Sequence, residues 1–200
     1  MNPYTELETR FRRIGALEEA EGILHWDMSV IMPKGGAESR AEQLAAMKLT
    51  IHGLLTDSTL ATLLDAAEEA PPVDTWQAAN MCEMRRRWRH ANAVEGDLVE
   101  ALSKASSRCE MIWREARPKG DFAAVSESLA EVLGLVREKA QTKATVLDVT
   151  PYEALLDQFE PETRIADIDH LFDDLAAFLP DFLDNALAHQ TAAGAPLEPQ

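Results

Sequence analysis

Asp121-Phe122-Ala123-Ala124-Val125-Ser126-Glu127-Ser128-Leu129-Ala130-Glu131-Val132-Leu133-Gly134-Leu135-Val136-Arg137-Glu138-Lys139-Ala140 is the stretch that decides the fold class. Phe122, Val125, Leu129, Val132, Val136 and Ala140 recur at steps of three and four, which places them on one narrow stripe of an α-helix. A strand would require apolar and polar residues to alternate with period two, and they do not. Asp121 supplies a capping side chain at the start. Pro118-Lys119-Gly120, just before it, stops whatever helix precedes.

The same period spreads outward in both directions. Leu98, Leu102, Ala105, Cys109 and Ile112 form a stripe that predicts a helix over 95–116, and Met81, Met84, Trp88 and Ala91 predict one over 76–92 with Asp74 or Thr75 as cap. A short helix over 60–69 ends before Pro71-Pro72. At the N-terminus Asn2 caps and Pro3 opens a long helix, whose Leu7, Phe11, Ile14, Leu17 and Leu24 carry it to about residue 28. Gly15 and Gly22 leave room on it for a close neighbour. Met32-Pro33-Lys34-Gly35-Gly36 forces a turn, and a helix over 37–55 follows that buries Leu44, Met47, Ile51, Leu54 and Leu55. Further on, Thr150-Pro151-Tyr152-Glu153 is a capping box with proline at the first helical position.

The last helix, over 167–188, has the widest apolar face: Ile168, Leu171, Phe172, Leu175, Phe178, Leu179, Phe182 and Leu183, with a kink expected at Pro180. Residues 190–200 lose all periodicity and read as a connecting segment. The expectation is therefore an all-α array of long amphipathic helices over 1–189, with 190–200 leading away from it. Stripes this broad predict a face left uncovered and self-association of the chain.

A formal net charge of −16 disfavours nucleic acid and anionic membrane surfaces, because binding phosphate requires neutralising cations. No apolar run approaches membrane-spanning length and the N-terminus has no signal-like pattern, so a cytoplasmic location is expected. Cys82 and Cys109, the only cysteines, sit in helical patterns beside apolar residues and read as buried thiols rather than a disulfide framework.

Candidate chemistry is sparse. The five histidines, His25, His52, His90, His170 and His189, include no pair one helical turn apart, so none presents the two imidazoles that an HExxH zinc site requires. Glu21 with His25, and Asp167 with His170, each set two donors on one helix face, short of the three or four that hold a metal. Arg85-Arg86-Arg87-Trp88-Arg89 points around most of a helix and has Glu83 and Glu95 nearby, which predicts a solvated face or interdomain ion pairs rather than a nucleic-acid site. The most function-like group is Trp26, Asp27, Met32 and Pro33: an aromatic and a carboxylate where a helix ends in an irregular turn, suited to the wall of a substrate groove. The structural alternative makes Trp26 core and Asp27 a helix-end ion pair.

Leu24-His25-Trp26-Asp27, Met32-Pro33, Gly35-Gly36-Ala37-Glu38 and Arg40-Ala41-Glu42-Gln43-Leu44 occur in unbroken order, followed by Ser107-Arg108, Trp113-Arg114-Glu115-Ala116-Arg117, Asp121-Phe122, and Pro151-Tyr152-Glu153-Ala154-Leu155-Leu156-Asp157 with Phe159-Glu160-Pro161. This series resembles the N-terminal part of the carboxypeptidase Taq family, HExxH zinc metallocarboxypeptidases. The resemblance implies the N-terminal half of a larger gluzincin-like helical peptidase, with residues 1–189 as groove wall or lid and 190–200 leading toward a catalytic half. It implies peptide substrates, a homodimer, and zinc held by two motif histidines and a downstream glutamate, none of them in these 200 residues. No catalytic or metal residue and no cofactor is expected here, and the chain alone is expected to be inactive. The alternatives are a stand-alone helical interaction module and a small metal-binding bundle built on Glu21/His25 or Asp167/His170.

Overall fold

A computed structural model describes residues 2–70 and 72–194. Eight α-helices and no strand occur among them: α1 Pro3–Val30, α2 Ala37–Leu55, α3 Ser58–Glu68, α4 Thr75–Asn92, α5 Gly96–Ala116, α6 Ala123–Leu147, α7 Pro151–Leu156 and α8 Ile165–Ala193. Two 3-10 turns, Lys34–Gly36 and Arg117–Lys119, stand at the joints. The chain divides into two compact units, Met1–Ala154 and Leu155–Gln200. Of the expected connecting segment, residues 195–200 lie outside the described residues.

In the first unit the caps do what their side chains allow. Asn2 Oδ1 accepts from the Tyr4 amide at 2.9 Å, Asp57 Oδ1 from Thr59 at 2.8 Å and Asp74 Oδ1 from Gln77 at 2.8 Å. The capping box forms in full, since the Thr150 amide donates to Glu153 Oε2 at 3.1 Å and the Glu153 amide to Thr150 Oγ1 at 3.2 Å. Asp121 Oδ1 accepts from the Ala124 amide at 3.1 Å, so it caps α6. At the other end of α6, Asp148 takes a left-handed φ of 56°, a conformation that Asp tolerates better than most residues.

Leu7, Phe11 and Ile14 of α1, Ile51 and Leu55 of α2, Leu60 and Leu64 of α3, and Met81 and Met84 of α4 make one core. A second cluster joins Cys109 and Ala116 of α5 to Val125 of α6, with Leu129 and Val132 packed on it, which is the seam read from the sequence. Three arginines of the α4 run are ion-paired within the first unit. Arg85 reaches Asp65 at 2.6 Å and Glu68 at 2.7 Å, Arg86 reaches Glu83 at 2.7 Å, and Arg87 pairs with Glu18 of α1.

Three expectations change. Cys82 is exposed while Cys109 is buried, because Cys82 lies one residue off the Met81/Met84 face that α4 turns to the core. Gly15 and Gly22 have no neighbour within 4 Å of where a side chain would begin, so neither serves a close helix approach. Phe122 lies ahead of α6 and is exposed, so the buried seam begins at Val125.

The second unit holds α8. It is one helix through Pro180, which donates no backbone hydrogen bond, and it buries none of its residues. Phe178 and Phe182 stack at 5.2 Å between ring centroids.

Candidate functional site

The end of α1 is held from three sides. A helix leaves its last carbonyls without intrahelical donors, and here the Asp27 carbonyl accepts from the amides of Ile31 at 3.0 Å and Met32 at 2.9 Å. Arg40, one turn into α2, reaches back: its Nη1 lies 2.6 Å from Asp27 Oδ2 and donates to the Leu24 carbonyl at 2.7 Å, while its Nε donates to Gln43 Oε1 at 2.9 Å. The Arg40 and Asp27 side chains are only 15 % and 27 % exposed, so their attraction is less screened than that of a surface pair. From α5, Arg114 Nη1 donates to the Met28 carbonyl at 2.5 Å and its other arm is held by Glu110. Lys34, in the turn, pairs with Glu115. That contact, first through its hydrogen bond and then through its charge, holds the Glu115 carboxyl below its ordinary value.

Motif segments some seventy residues apart in the chain, 24–44 and 113–117, therefore meet at one end of the first unit. Between them the backbone leaves the helix through Pro33, extended at φ −68° and ψ 150°, and re-enters through the 3-10 turn. Met32 is half-buried, and a side chain on Gly36 would begin 3.3 Å from Met32 Cγ, tighter than ordinary contact.

The four candidate residues separate by role. Trp26 is 57 % exposed, so it is not core; Asp27 is an ion-pair residue; Met32 packs against Gly36; Pro33 is exposed. Sequence reasoning missed Trp26's companions. Ile23, Val30 and Ile31 are also exposed, and Ile23, Trp26 and Val30 follow helical spacing on a face other than the one carrying Leu7, Phe11 and Ile14. That second spacing was the available signal. Together these side chains offer an apolar strip beside a polar, rigidly held turn, an arrangement suited to an extended peptide or an apolar side chain and not to bond-breaking chemistry.

A concavity lies between α5 and α6, with a volume of about 690 Å³, lined by Cys109, Trp113, Arg117, Phe122, Val125 and Leu129 among others. The Arg117 guanidinium stacks on the Trp113 ring at 4.9 Å. Its walls are mainly apolar.

The metal-ligand candidates do not fit a metal. Glu21 and His25 stand 3.3 Å apart, but the Lys48 ammonium sits 3.7 Å from the same Glu21 oxygen, where a cation would be opposed. Asp167 and His170 lie on an exposed turn of α8. Among the described residues no three of His, Cys, Asp and Glu come together in a way that could hold an ion. Elsewhere, Lys143 Nζ lies 2.9 Å from His90 Nδ1, and both residues are buried.

Comparison with known proteins adds the following. The model of one family, described as carboxypeptidase Taq (M32) metallopeptidase, matches residues 6–198. Thermostable carboxypeptidase 1 of Thermus thermophilus is 32 % identical over 187 residues, covering 88 % of this chain and 36 % of its own length. The enzyme of the same name from Pyrococcus furiosus is 27 % identical over 182 residues, 91 % of this chain and 36 % of its own. Among solved structures, Trypanosoma cruzi metallocarboxypeptidase 1 superposes with a TM-score of 0.77 at 30 % identity, covering 100 % of this chain and 40 % of that one. A Pyrococcus furiosus carboxypeptidase gives 0.74 at 26 % identity, covering 94 % and 37 %. The chain thus spans little more than a third of the length of the relatives it matches.

Proposed function

The chain belongs to the carboxypeptidase Taq (M32) metallopeptidase family, as an N-terminal part of it, and on that premise we propose that it is the groove-wall portion of a zinc-dependent carboxypeptidase that removes single residues from peptide C-termini. In this reading residues 1–189 are wall or lid and 190–200 lead toward the catalytic half. Trp26 with Ile23 and Val30 contacts the peptide, Asp27 keeps the end of α1 in place through Arg40, and Met32-Pro33 shapes the rim. The carrying observation is the exposed apolar strip on α1, beside a turn that is tied down by Arg40 and Arg114. A wall that bears on substrate geometry needs such fixity.

In this reading the zinc and the activation of water belong to segments outside these 200 residues, which carry no HExxH, and the isolated chain is inactive. We place the peptidase in the cytoplasm, as a homodimer. Among the described residues no helix is long and apolar enough to cross a membrane.

Two measurements test this reading. Metal analysis of the isolated chain combined with a C-terminal release assay is expected to give neither stoichiometric zinc nor release; zinc-dependent release at the rate of a full-length relative would overturn the inactivity. In a full-length peptidase carrying these residues, Trp26→Ala is expected to raise KM with little change in kcat, the mark of lost peptide binding. Unchanged kinetics would remove Trp26 from the groove.

A second reading, a stand-alone helical interaction module, is favoured by one observation: α8 exposes its whole apolar face. The coding sequence beyond Gln200 separates the two, since an HExxH followed by a downstream glutamate belongs to the first and an immediate stop codon to the second.

A further inference from the structure

At the end of α1 one amide is diverted from its usual partner, and the replacement comes from far along the chain. In a continuing helix the Met28 carbonyl would accept from the amide of residue 32. Here the Met32 amide donates to the Asp27 carbonyl at 2.9 Å, and Pro33, next in line, has no N–H to offer. Met28 is 2 % exposed, so water does not stand in as it does at a surface helix end.

Arg114 meets that carbonyl. Its Nη1 donates to it at 2.5 Å, while its Nη2 is held by Glu110, one turn back on α5, which aims the guanidinium. A permanent cation at a helix C-terminus also answers the negative end of the helix dipole. Arg40 ties α1 to α2, the helix next in sequence, whereas Arg114 ties it to α5, 86 residues from Met28. The neighbouring Lys34–Glu115 pair joins side chains that are 82 % and 53 % exposed, where solvent screens it, so the hold from α5 falls to Arg114.

The carbonyl held in this way lies in the turn that carries the exposed strip. Trp26 and Val30 stand four residues apart on one face of α1, with the buried Met28 between them in the chain. Deprived of its donor, the Met28 carbonyl reaches water only if this last turn opens, and opening carries Val30 away from Trp26.

We propose that Arg114 is a positioning residue for the peptide-contacting wall: it holds the last turn of α1 from α5 and acts on the peptide through Trp26. This rests on the groove reading, in which Trp26 meets the peptide.

One arm of the test is independent of activity. In the 200-residue chain, Arg114→Met keeps an apolar stem and removes the donors. Hydrogen exchange at the Ile31 and Met32 amides, which close the turn on Asp27, is expected to quicken at least about tenfold while the Phe11 and Ile14 amides keep their rates. Arg114→Lys, which retains a donor, is expected to restore most of the protection; a lysine variant no better than the methionine one overturns the hydrogen bond as the cause. The second arm uses a full-length peptidase carrying these residues. There Arg114→Met is expected to raise KM by about the factor that Trp26→Ala does, with kcat within about twofold, and to add nothing once Trp26→Ala is present. Unchanged exchange overturns the hold on the turn, whatever the kinetics. Faster exchange with an unmoved KM, where Trp26→Ala does raise it, or additive effects in the double variant, leaves Arg114 structural and overturns its action through Trp26. If Trp26→Ala leaves KM unchanged, the groove reading fails and takes the effect on peptide with it, while the exchange result on the turn stands.

Discussion

Helices α1 and α8 are nearly equal in length, 28 and 29 residues, and both carry apolar side chains at helical spacing. Yet α1 buries Leu7, Phe11, Ile14 and Met28, and α8 buries nothing. The difference lies in what surrounds them. Three helices follow α1 within hairpin reach and turn their own stripes toward it, so its apolar face is covered by sequence-local partners. Periodicity tells which face of a helix seeks cover; it does not tell whether the cover is present.

The sharpest way to break this contrast is to delete equal volumes from the two regions. Leu60 is fully buried in the α1–α4 core, so Leu60→Ala is expected to cost about 2–5 kcal/mol in urea unfolding. Leu179→Ala in α8, where the side chain is 49 % exposed, should stay within about 0.5 kcal/mol of the parent. Comparable losses at the two sites would mean that α8 is packed in solution and the contrast is false.

Next in size is the tie between α1 and α2. Arg40→Ala removes a partly buried ion pair and the donor to the Leu24 carbonyl, with an expected loss of roughly 1–3 kcal/mol. Asp27→Asn should cost less, and a double-mutant cycle should return a coupling between the two above the roughly 0.2–1 kcal/mol typical of exposed pairs. A coupling near zero would remove Arg40 as the residue that holds the turn. Smaller again, Asp74→Ala should cost about 1 kcal/mol through the lost cap on α4, and Asp74→Asn should recover most of it.

The smallest effect is a pH dependence. Burial pushes the His52 imidazole below its ordinary value, with Glu95 opposing. The folded chain then binds this proton less readily than the unfolded chain, so stability is retained above the unfolded value of 6.5 and is lost as pH falls from there through the lower folded value. Unfolding midpoints between pH 7.5 and pH 5, compared with those of His52→Gln, isolate the contribution; identical slopes would show that other groups carry it.

How far the sequence discloses this molecule follows the range of the interactions involved. Helices and their caps are local, so Asn2-Pro3, Asp74, Asp121 and the Thr150–Glu153 box are readable from neighbours three or four residues away, and the structure forms each of them. The end of α1 depends on Arg40 and on Arg114, which lies on another helix far along the chain, and no periodicity announces a side chain that donates to a distant carbonyl. The exposed Ile23, Trp26 and Val30 could have been found as a second stripe on α1, but a stripe reads the same whether it faces core or solvent. Cys82 shows the limit of residue type as a guide, since a residue commonly buried turns outward once its helix has committed Met81 and Met84 to the core.

The two cysteines also make the chain its own clock. Cys82 is open to a thiol reagent, while Cys109 is covered where α5 meets α6. Alkylation at Cys82 sets the unhindered rate in the same tube, and the lag at Cys109, which lines the concavity between α5 and α6, reads how readily that concavity admits a reagent of a given size. The comparison needs no added label, no substitution and no denaturant.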